Sequence, residues 1–458
     1  MTADLIISGG RIIVEGNDGI RHADVAIRDG VFQTIAEPGT LIGNRNIDAA
    51  GKIVLPGAID LHVHFRQPGF EYKEDFEHGT AAAACGGVTT VCDMPNTVPP
   101  VVDVAGLDAK RKLVENSAHV DFGLWAGGTN FTEIERMCDS GAIGLKVYMN
   151  RSHRSDDPYA EALSMPDLNT LGEVLILCRD LRMPVAVHVA DPEVEAAQRE
   201  HFRSISVSDP GLVIRSYRSH GVLTALREVL EIAGKTESPV HIAHASLAPT
   251  EAINIIQQAR QAGVLVTSEC NPPALLISDL GDRGVFGIPF AFSREDAAYY
   301  WRAIADGSID IIATDHAPHS KADKDFGKTD VWRAPPGYPG VETSFPLMID
   351  SAIRGVLSWS RLAEATSAGP AKIAQLSGKG GIRFGADADF VIVDPQSSRI
   401  VDESKLHSKA GWSPFHGREL RGRIESTYLR GEVIAVDGDL VHSSPAGAML
   451  VPERKGKK

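Results

Sequence analysis

The sequence is short of basic residues and contains no long apolar run. It has 46 Lys and Arg against 60 Asp and Glu, a formal net charge of −14 over 458 residues. Nucleic-acid binding needs clustered Lys and Arg, so this balance argues against a nucleic-acid partner. No stretch reaches the roughly 18 apolar residues of a membrane span, and no membrane partner is expected. The start, MTADLIISGG, lacks the features of a secretory signal, so a cytoplasmic location is expected.

Cysteine is also scarce and shows no pairing pattern. The chain has an odd number of cysteines, none in a CxxC pair: Cys85, Cys92, Cys138, Cys178 and Cys270. This usage is typical of free thiols in a reducing compartment, and it favours packing roles over a metal cluster.

The composition is that of a globular protein, with 43% hydrophobic and 23% charged residues. Both ends contain short alternating strands separated by Gly and Asp turns. We predict that residues 1–55 and 376–446 pair into one small β-sandwich around a central domain of residues 56–375. Residues 447–458 are predicted to form a basic tail, and its basic run PERKGKK at 452–458 is expected to be a solvated, mobile terminus rather than a binding arm.

The central domain shows short β-branched segments alternating with helix-like stretches. Eight such segments begin near positions 58, 87, 119, 143, 184, 240, 264 and 309. This pattern favours an α/β fold with a closed (β/α)8 TIM-like barrel over an open doubly wound sheet, and no GxGxxG follows the first strand. The long gaps at 150–183, 190–239 and 270–308 are expected to hold extra helices or loops over the barrel mouth.

Histidines and a carboxylate stand where the predicted barrel strands end. His62 and His64, two apart on strand one, face the same side and can form half of a metal site, although packing or hydrogen bonding would also explain them. His188 closes strand five, His244 closes strand six and Asp315 closes strand eight. Active-site residues of barrels come from the ends of several strands, so these side chains are predicted to converge on metal.

Lys146 ends strand four among these candidate ligands. A buried ammonium there would repel a cation, which leaves two interpretations: a salt bridge to Asp315, or a lysine carboxylated by CO2 that bridges two metals. Imidazole with oxygen ligands suits zinc best, although manganese, cobalt or iron could serve. Two ions sharing a water would lower its pKa toward ~7, giving a bridging hydroxide for amide hydrolysis or its reversal. Asp315 would act as the general base and acid.

These residues resemble the amidohydrolase superfamily, in its cyclic amidohydrolase branch of dihydroorotases, allantoinases and hydantoinases. The resemblance is carried by the DxHxH of Asp60, His62 and His64, by Lys146, by the "TDH" of strand eight, and by flanking stretches such as GKIVLPGAID and GPAKIAQLSGKGGIRFGADADFVIVDP. It implies two Zn²⁺ per subunit bridged by N6-carboxylysine at Lys146, and a homo-oligomer, either a dimer or a tetramer.

Within the branch, HVHFRQPG, DMPNT and TDHAPHS look most like dihydroorotase. That likeness implies substrate-carboxylate contacts from Arg66, Asn96 and His319. The alternatives are a surface ion pair for Arg66 and a solvated loop position for His319. Hydantoinases carry a tyrosine where Arg151 stands, and allantoinases usually show DHSP instead of DHAPH.

The segment after strand seven departs from dihydroorotase. The substrate-contacting asparagine of that family falls near Ile288, and Asn271 lies too early to replace it securely. Despite this departure, the resemblance implies a dihydroorotase, which converts N-carbamoyl-L-aspartate and dihydroorotate reversibly in pyrimidine biosynthesis. The alternatives are an allantoinase or hydantoinase-like hydrolase of another cyclic ureide, and an inactive scaffold protein. His241 is assigned no role, His316 is expected to support the site from behind, and Asp60 either orients a ligand or makes a structural hydrogen bond.

Overall fold

The computed structural model describes residues 2–14, 20–149, 160–165, 167–218, 220–277, 281–289 and 292–454. The described strands are β1 (Ala3–Ile13), β2 (Ile20–Arg28), β3 (Val31–Ala36), β4 (Gly43–Asp48), β5 (Ile53–Pro56), β6 (Ala58–Val63), β7 (Val88–Asp93), β8 (Asp121–Leu124), β9 (Ala126–Gly127), β10 (Leu145–Tyr148), β11 (Val185–His188), β12 (Val240–Ile242), β13 (Val266–Cys270), β14 (Ile311–Ile312), β15 (Phe390–Ile400), β16 (Glu419–Leu429), β17 (Glu432–Val436) and β18 (Asp439–Leu440).

The described α-helices are α1 (Phe76–Cys85), α2 (Val104–Glu115), α3 (Phe131–Asp139), α4 (Ala160–Leu163), α5 (Leu168–Asp180), α6 (Pro192–Ile205), α7 (Pro210–Tyr217), α8 (His220–Thr236), α9 (Glu251–Gln261), α10 (Pro272–Leu276), α11 (Arg294–Ala305), α12 (Lys321–Asp325), α13 (Val341–Ile353), α14 (Trp359–Ala363) and α15 (Gly369–Ile373). Many begin at an Asp or Ser whose side chain accepts a hydrogen bond from a first-turn amide, as Asp75 does from His78 N in α1. None of the described helices is both long enough and apolar enough to cross a bilayer.

Strands β6 to β14 form the predicted parallel barrel. One sheet runs β6-β7-β8 and another runs β14-β13-β12-β11-β10-β9, with β8 and β9 separated by Trp125 alone. A parallel bridge between Val63 and His316 joins the first and last strand positions. Each of the eight predicted segments contains a strand, and the carboxyl ends of these strands face one mouth, which confirms the (β/α)8 architecture.

The two ends of the chain meet in one sheet, in the order β18-β17-β16-β15-β5-β1-β2-β3, with β4 also paired to β1. The join is the antiparallel pair of β15 and β5, which aligns Phe390 with Pro56. A bulge in β1 after Ile7 shifts the register by one residue, so Leu5 and Ile7 precede it and Ile12 follows it in the same apolar cluster. The separate sheet domain predicted from both ends is therefore confirmed.

The carboxyl-terminal segment differs from the expected solvated tail. Phe122 N donates to Ala448 O at 3.0 Å, and Leu450 N donates to Phe122 O at 2.7 Å, which adds this segment to the edge of β8. Arg454 donates to the carbonyls of Cys138 and Ala142. The expectation of a mobile terminus was wrong for residues 452–454, because Glu453 N donates to Gln375 O at 3.0 Å and the Arg454 guanidinium donates to backbone carbonyls of the barrel. Residues 455–458 lie outside the described residues.

Candidate active site

His62, His64 and Asp315 meet at the mouth of the barrel. The Oδ1 atom of Asp315 lies 3.0 Å from His64 Nε2 and 3.4 Å from His62 Nε2. The Nδ1 atom of each ring acts as a hydrogen-bond donor. His62 Nδ1 contacts Glu269 Oε1 at 2.5 Å, and His64 Nδ1 contacts Asn96 Oδ1 at 2.6 Å. Both Nε2 lone pairs therefore point at a carboxylate oxygen, which is the donor set of a divalent metal.

The histidines of strands five and six form a second pair of converging nitrogens. His188 Nδ1 lies 2.8 Å from His244 Nε2, and the two ring centroids are 4.5 Å apart. Burial lowers the pKa of His244 to about 3 and that of His64 to about 4, and it lowers the pKa of His188 well below its usual range. The rings are therefore neutral at pH 7, the protonation state that binds metal. The ring of His62 lies 5.6 Å from that of His244, so the two groups are neighbours.

Lys146 lies at the bottom of this site and is completely buried. Among the described residues its Nζ has no hydrogen-bond partner, so the salt bridge to Asp315, one of the two interpretations of Lys146, does not form. Burial lowers the pKa of Lys146 to about 8, against the opposing charges of Glu269 and Asp315. An orphaned amine of this kind is costly to bury as an ammonium and is accessible as a neutral nucleophile.

The backbone is strained where the strands enter the mouth. Arg66, His244 and Asp315 have φ values of 64°, 34° and 49°. Residues other than glycine rarely adopt this left-handed backbone conformation, which costs about 1–3 kcal/mol per residue. Such residues are concentrated at functional sites. All three are residues that the sequence placed in the site.

Glu269 is a supporting residue that the sequence analysis missed. At the end of β13, its carboxylate accepts from His62 Nδ1, from His244 N at 2.8 Å and from His241 Nε2 at 3.1 Å. Assigning His241 no role was therefore wrong, because it contacts the carboxylate that orients His62. The available signal was a glutamate in the otherwise uncharged segment VLVTSEC of a predicted barrel strand, since a buried carboxylate requires partners.

Asp60 and His316 hold the first and last strands together behind the ligand candidates. Asp60 accepts from Thr314 Oγ1 at 2.5 Å and from His62 N at 3.2 Å, and burial raises its pKa to about 6. Asp60 thus orients His62 through the backbone. His316 O accepts from His64 N at 2.7 Å, while His316 Nδ1 accepts from Gly340 N at 3.0 Å. His316 therefore supports the site from behind.

The three predicted substrate contacts lie side by side. Arg66 and His319 are buried, with Arg66 Nη2 3.3 Å from His319 Nε2. Within the described part of the chain, Arg66 Nε and His319 Nδ1 have no hydrogen-bond partner, and no ion pair of Arg66 is found. Neither residue is therefore the solvated or surface-paired side chain of the alternative interpretations. Asn96 is also buried and contacts His64.

In the described part of the segment after strand seven, the two positions compared with the asparagine of dihydroorotases are used inside the fold. Asn271 is buried, and its Nδ2 donates to Ala313 O at 3.0 Å, so its amide is used inside the fold. The side chain of Ile288 is also fully buried, in an apolar cluster that includes Val285 and Trp332. The described residues of this segment exclude positions 278–280, 290 and 291. They also exclude Arg151, the position at which hydantoinases carry a tyrosine.

Comparisons with known proteins agree with this geometry. The profile of the amidohydrolase family matches residues 53–434. An allantoinase from Rubrobacter xylanophilus is 33% identical over 465 residues, covering 99% of each chain. A dihydroorotase from Halobacterium salinarum is 35% identical over 437 residues, covering 91% of this chain and 96% of the relative. The solved L-hydantoinase (dihydropyrimidinase) from Arthrobacter aurescens is 29% identical with a TM-score of 0.92, covering 98% and 100% of the two chains.

Proposed function

The chain belongs to the amidohydrolase family and is a hydrolase of cyclic amides, and from this premise we propose that it is a dihydroorotase. It would interconvert dihydroorotate plus water and N-carbamoyl-L-aspartate, a step of pyrimidine biosynthesis. The observation that carries this choice is Arg66, a buried guanidinium with no carboxylate partner among the described residues, beside the buried His319. A guanidinium matches a substrate carboxylate in charge and in geometry.

The donor set fits two divalent ions, for which zinc is the best candidate. His62, His64 and Asp315 would hold one ion, and His188 and His244 the other. Lys146, carboxylated by CO2 to N6-carboxylysine, would bridge the two; this proposal is supported by its buried Nζ, which has no hydrogen-bond partner among the described residues. Bound ions would supply Lewis-acid polarisation of the ring carbonyl and a lowered pKa for water.

The protein's own residues would then divide the remaining tasks. Arg66, with Asn96 and His319, would orient the substrate by its carboxylate. Asp315 would accept the proton of the attacking water and deliver it to the ring nitrogen as the C–N bond breaks, and the reverse transfer would accompany ring closure. Glu269 would keep His62 in the tautomer that leaves Nε2 free.

A second candidate function is hydrolysis of another cyclic ureide, such as allantoin or hydantoin. It is favoured by the apolar Ile288 at the position where dihydroorotases carry asparagine, and by the likeness to an allantoinase over the whole chain. The purified protein, loaded with zinc and bicarbonate, should be assayed with dihydroorotate, allantoin and hydantoin. Turnover of dihydroorotate with the highest kcat/KM supports the proposal, and absence of that turnover refutes it.

Two properties of the assembly belong to the same proposal. We infer a cytoplasmic enzyme from the five buried cysteines, which form no disulfide among the described residues, and a dimer or tetramer from the branch it resembles. Light scattering of the purified protein measures the oligomeric state, and a monomer at micromolar concentration would contradict this part of the proposal.

A further inference from the structure

Two neighbouring turns carry Arg66 and Asn96. The turn after β6 contains Arg66 and the turn after β7 contains Asn96. The turns touch directly, since Met94 N donates to Val63 O at 2.9 Å and Val98 N donates to Pro68 O at 3.0 Å. Any shift of one turn against the other therefore changes the spacing of the groups that face a substrate carboxylate.

A buried ion pair lies beneath these turns. Asp93 is the last residue of β7 and Lys110 lies in α2, and each side chain is 1% exposed. The Lys110 ammonium contacts Asp93 Oδ2 and also donates to Met94 O at 2.8 Å. The other carboxylate oxygen, Asp93 Oδ1, accepts from Phe65 N at 2.6 Å.

Stability alone does not account for this pair. Buried ion pairs cost desolvation energy, and apolar residues of similar volume often replace them without loss. Here each partner makes one further hydrogen bond, and both bonds end on the backbone of the two turns. The bond to Asp93 comes from Phe65 N, one residue before Arg66. The bond from Lys110 ends on Met94 O, two residues before Asn96.

Phe65 shows why the turn needs this anchor. Its ring packs edge-on against Phe76 at 5.5 Å and against His316 at 5.5 Å, so the side chain is fixed by aromatic contacts. The backbone then reverses at Arg66, in the strained left-handed conformation. The bond from Phe65 N to Asp93 holds the residue immediately before that reversal.

We infer that Asp93 and Lys110 are a positioning pair that fixes the Arg66 turn against the Asn96 turn and thereby sets the affinity for a substrate carboxylate. The identity of the ligand rests on the proposed function. The fixed spacing of the two turns does not, because it depends only on hydrogen bonds within the chain.

The test compares Lys110→Met with Lys112→Met, an exposed lysine of the same helix. Lys110→Met should raise KM for dihydroorotate about tenfold to a hundredfold, because a displacement of about 1 Å is enough for such losses. The kcat should stay within about threefold and zinc content should be unchanged, because no ligand candidate is removed. Lys112→Met should behave as wild type. A fall in kcat with unchanged KM would overturn the inference.

Hydrogen exchange provides a readout that needs no turnover. Lys110→Met should speed exchange in peptides covering 65–70 and 94–99 and leave the other barrel peptides unchanged; unchanged exchange in both turns would refute the positioning role. If wild-type protein does not turn over dihydroorotate, the proposed function fails while this measurement still decides the pair. If Lys110→Met does not fold, Asp93→Asn keeps the acceptor for Phe65 and should show the same KM and exchange changes to a smaller degree.

Discussion

Lys379 joins the sheet domain to the barrel through a buried cluster of carboxylates, and Lys379→Met tests that junction. Its Nζ lies 2.6 Å from Asp121 in β8 and 2.7 Å from both Asp387 and Asp389, which precede β15. Burial alone lowers the pKa of Lys379, but the three carboxylates outweigh burial and raise it above its ordinary value. Arg430 is the other cation of the cluster and contacts Asp121 at 2.5 Å.

The expected cost follows from the charges that remain. Removing one partner of a buried ion pair typically costs about 3–5 kcal/mol, because the other partner is left uncompensated. The entropy of unfolding is about 2.1 cal/mol/K per residue. For 458 residues, a loss of 1 kcal/mol in the free energy of unfolding therefore lowers the melting temperature by about 1 °C. Lys379→Met should therefore lower Tm by about 3–5 °C if the chain melts as one unit, and by more if the sheet domain melts separately.

Scanning calorimetry at pH 8 and pH 5.5 measures both the loss and its origin. In wild type the raised pKa of Lys379 gives a stabilisation that is complete below its ordinary pKa of about 10.4 and is lost only at higher pH. In the variant, Asp389 has lost the cation that opposes protonation of its carboxylate, so this side chain takes up a proton as the pH falls. Burial already raises the pKa of Asp389, so the difference in Tm from wild type should shrink at pH 5.5.

Lys372→Met, at an exposed position on a neighbouring helix, is the matched control and should leave Tm within about 1 °C. The double variant Lys379→Met, Asp387→Asn should recover part of the loss, since it removes one of the uncompensated charges. A Lys379→Met protein as stable as the control at pH 8 would refute this reasoning, as would a difference that grows at low pH.

Three further predictions concern the candidate active site. Arg66→Met should raise KM for dihydroorotate about 10- to 100-fold with unchanged zinc content, because a charge-assisted contact worth about 1.5–3 kcal/mol is lost; steady-state kinetics and metal analysis check this, and loss of zinc would contradict it. Lys146→Ala should abolish most activity and bind less zinc, with partial rescue by short carboxylic acids; full activity without added acid would refute the carbamate. Glu269→Gln should weaken zinc retention about 10- to 100-fold, because it perturbs the acceptor that orients His62. Equilibrium dialysis against a chelator measures this retention, and a variant that retains zinc as wild type does would contradict the prediction.

Much of the architecture could be predicted from the sequence because each barrel strand is encoded in a short segment of neighbouring residues. Each of the eight barrel strands lies within a β-branched segment, and the ligand candidates His62, His64, His188, His244 and Asp315 stand where those segments end. Strand direction and period are local properties, and a barrel brings all its strand ends to one mouth. The histidine pair of strand one therefore indicated the location of the site before any contact was known.

Contacts between distant segments could not be read in this way. Glu269 is an isolated acidic residue in its strand, and only packing places it against His62, His241 and the amide of His244. The prediction that the basic run at 452–458 would be mobile rested on its charge and its place at the chain end, whereas backbone contacts with β8 and with other parts of the barrel decide where residues 446–454 lie.

The sequence by itself determined the fold class and the kinds of residue at the mouth, because hydrophobic periodicity and strand ends are encoded locally. Tertiary structure alone decided which atoms face each other: that Lys146 Nζ has no hydrogen-bond partner among the described residues, that Arg66 lies beside His319, and that Asp93 and Lys110 contact each other beneath two turns. The physical reason is that burial and hydrogen-bond partners depend on segments far apart in the chain. The charge and pKa of a side chain follow from those partners.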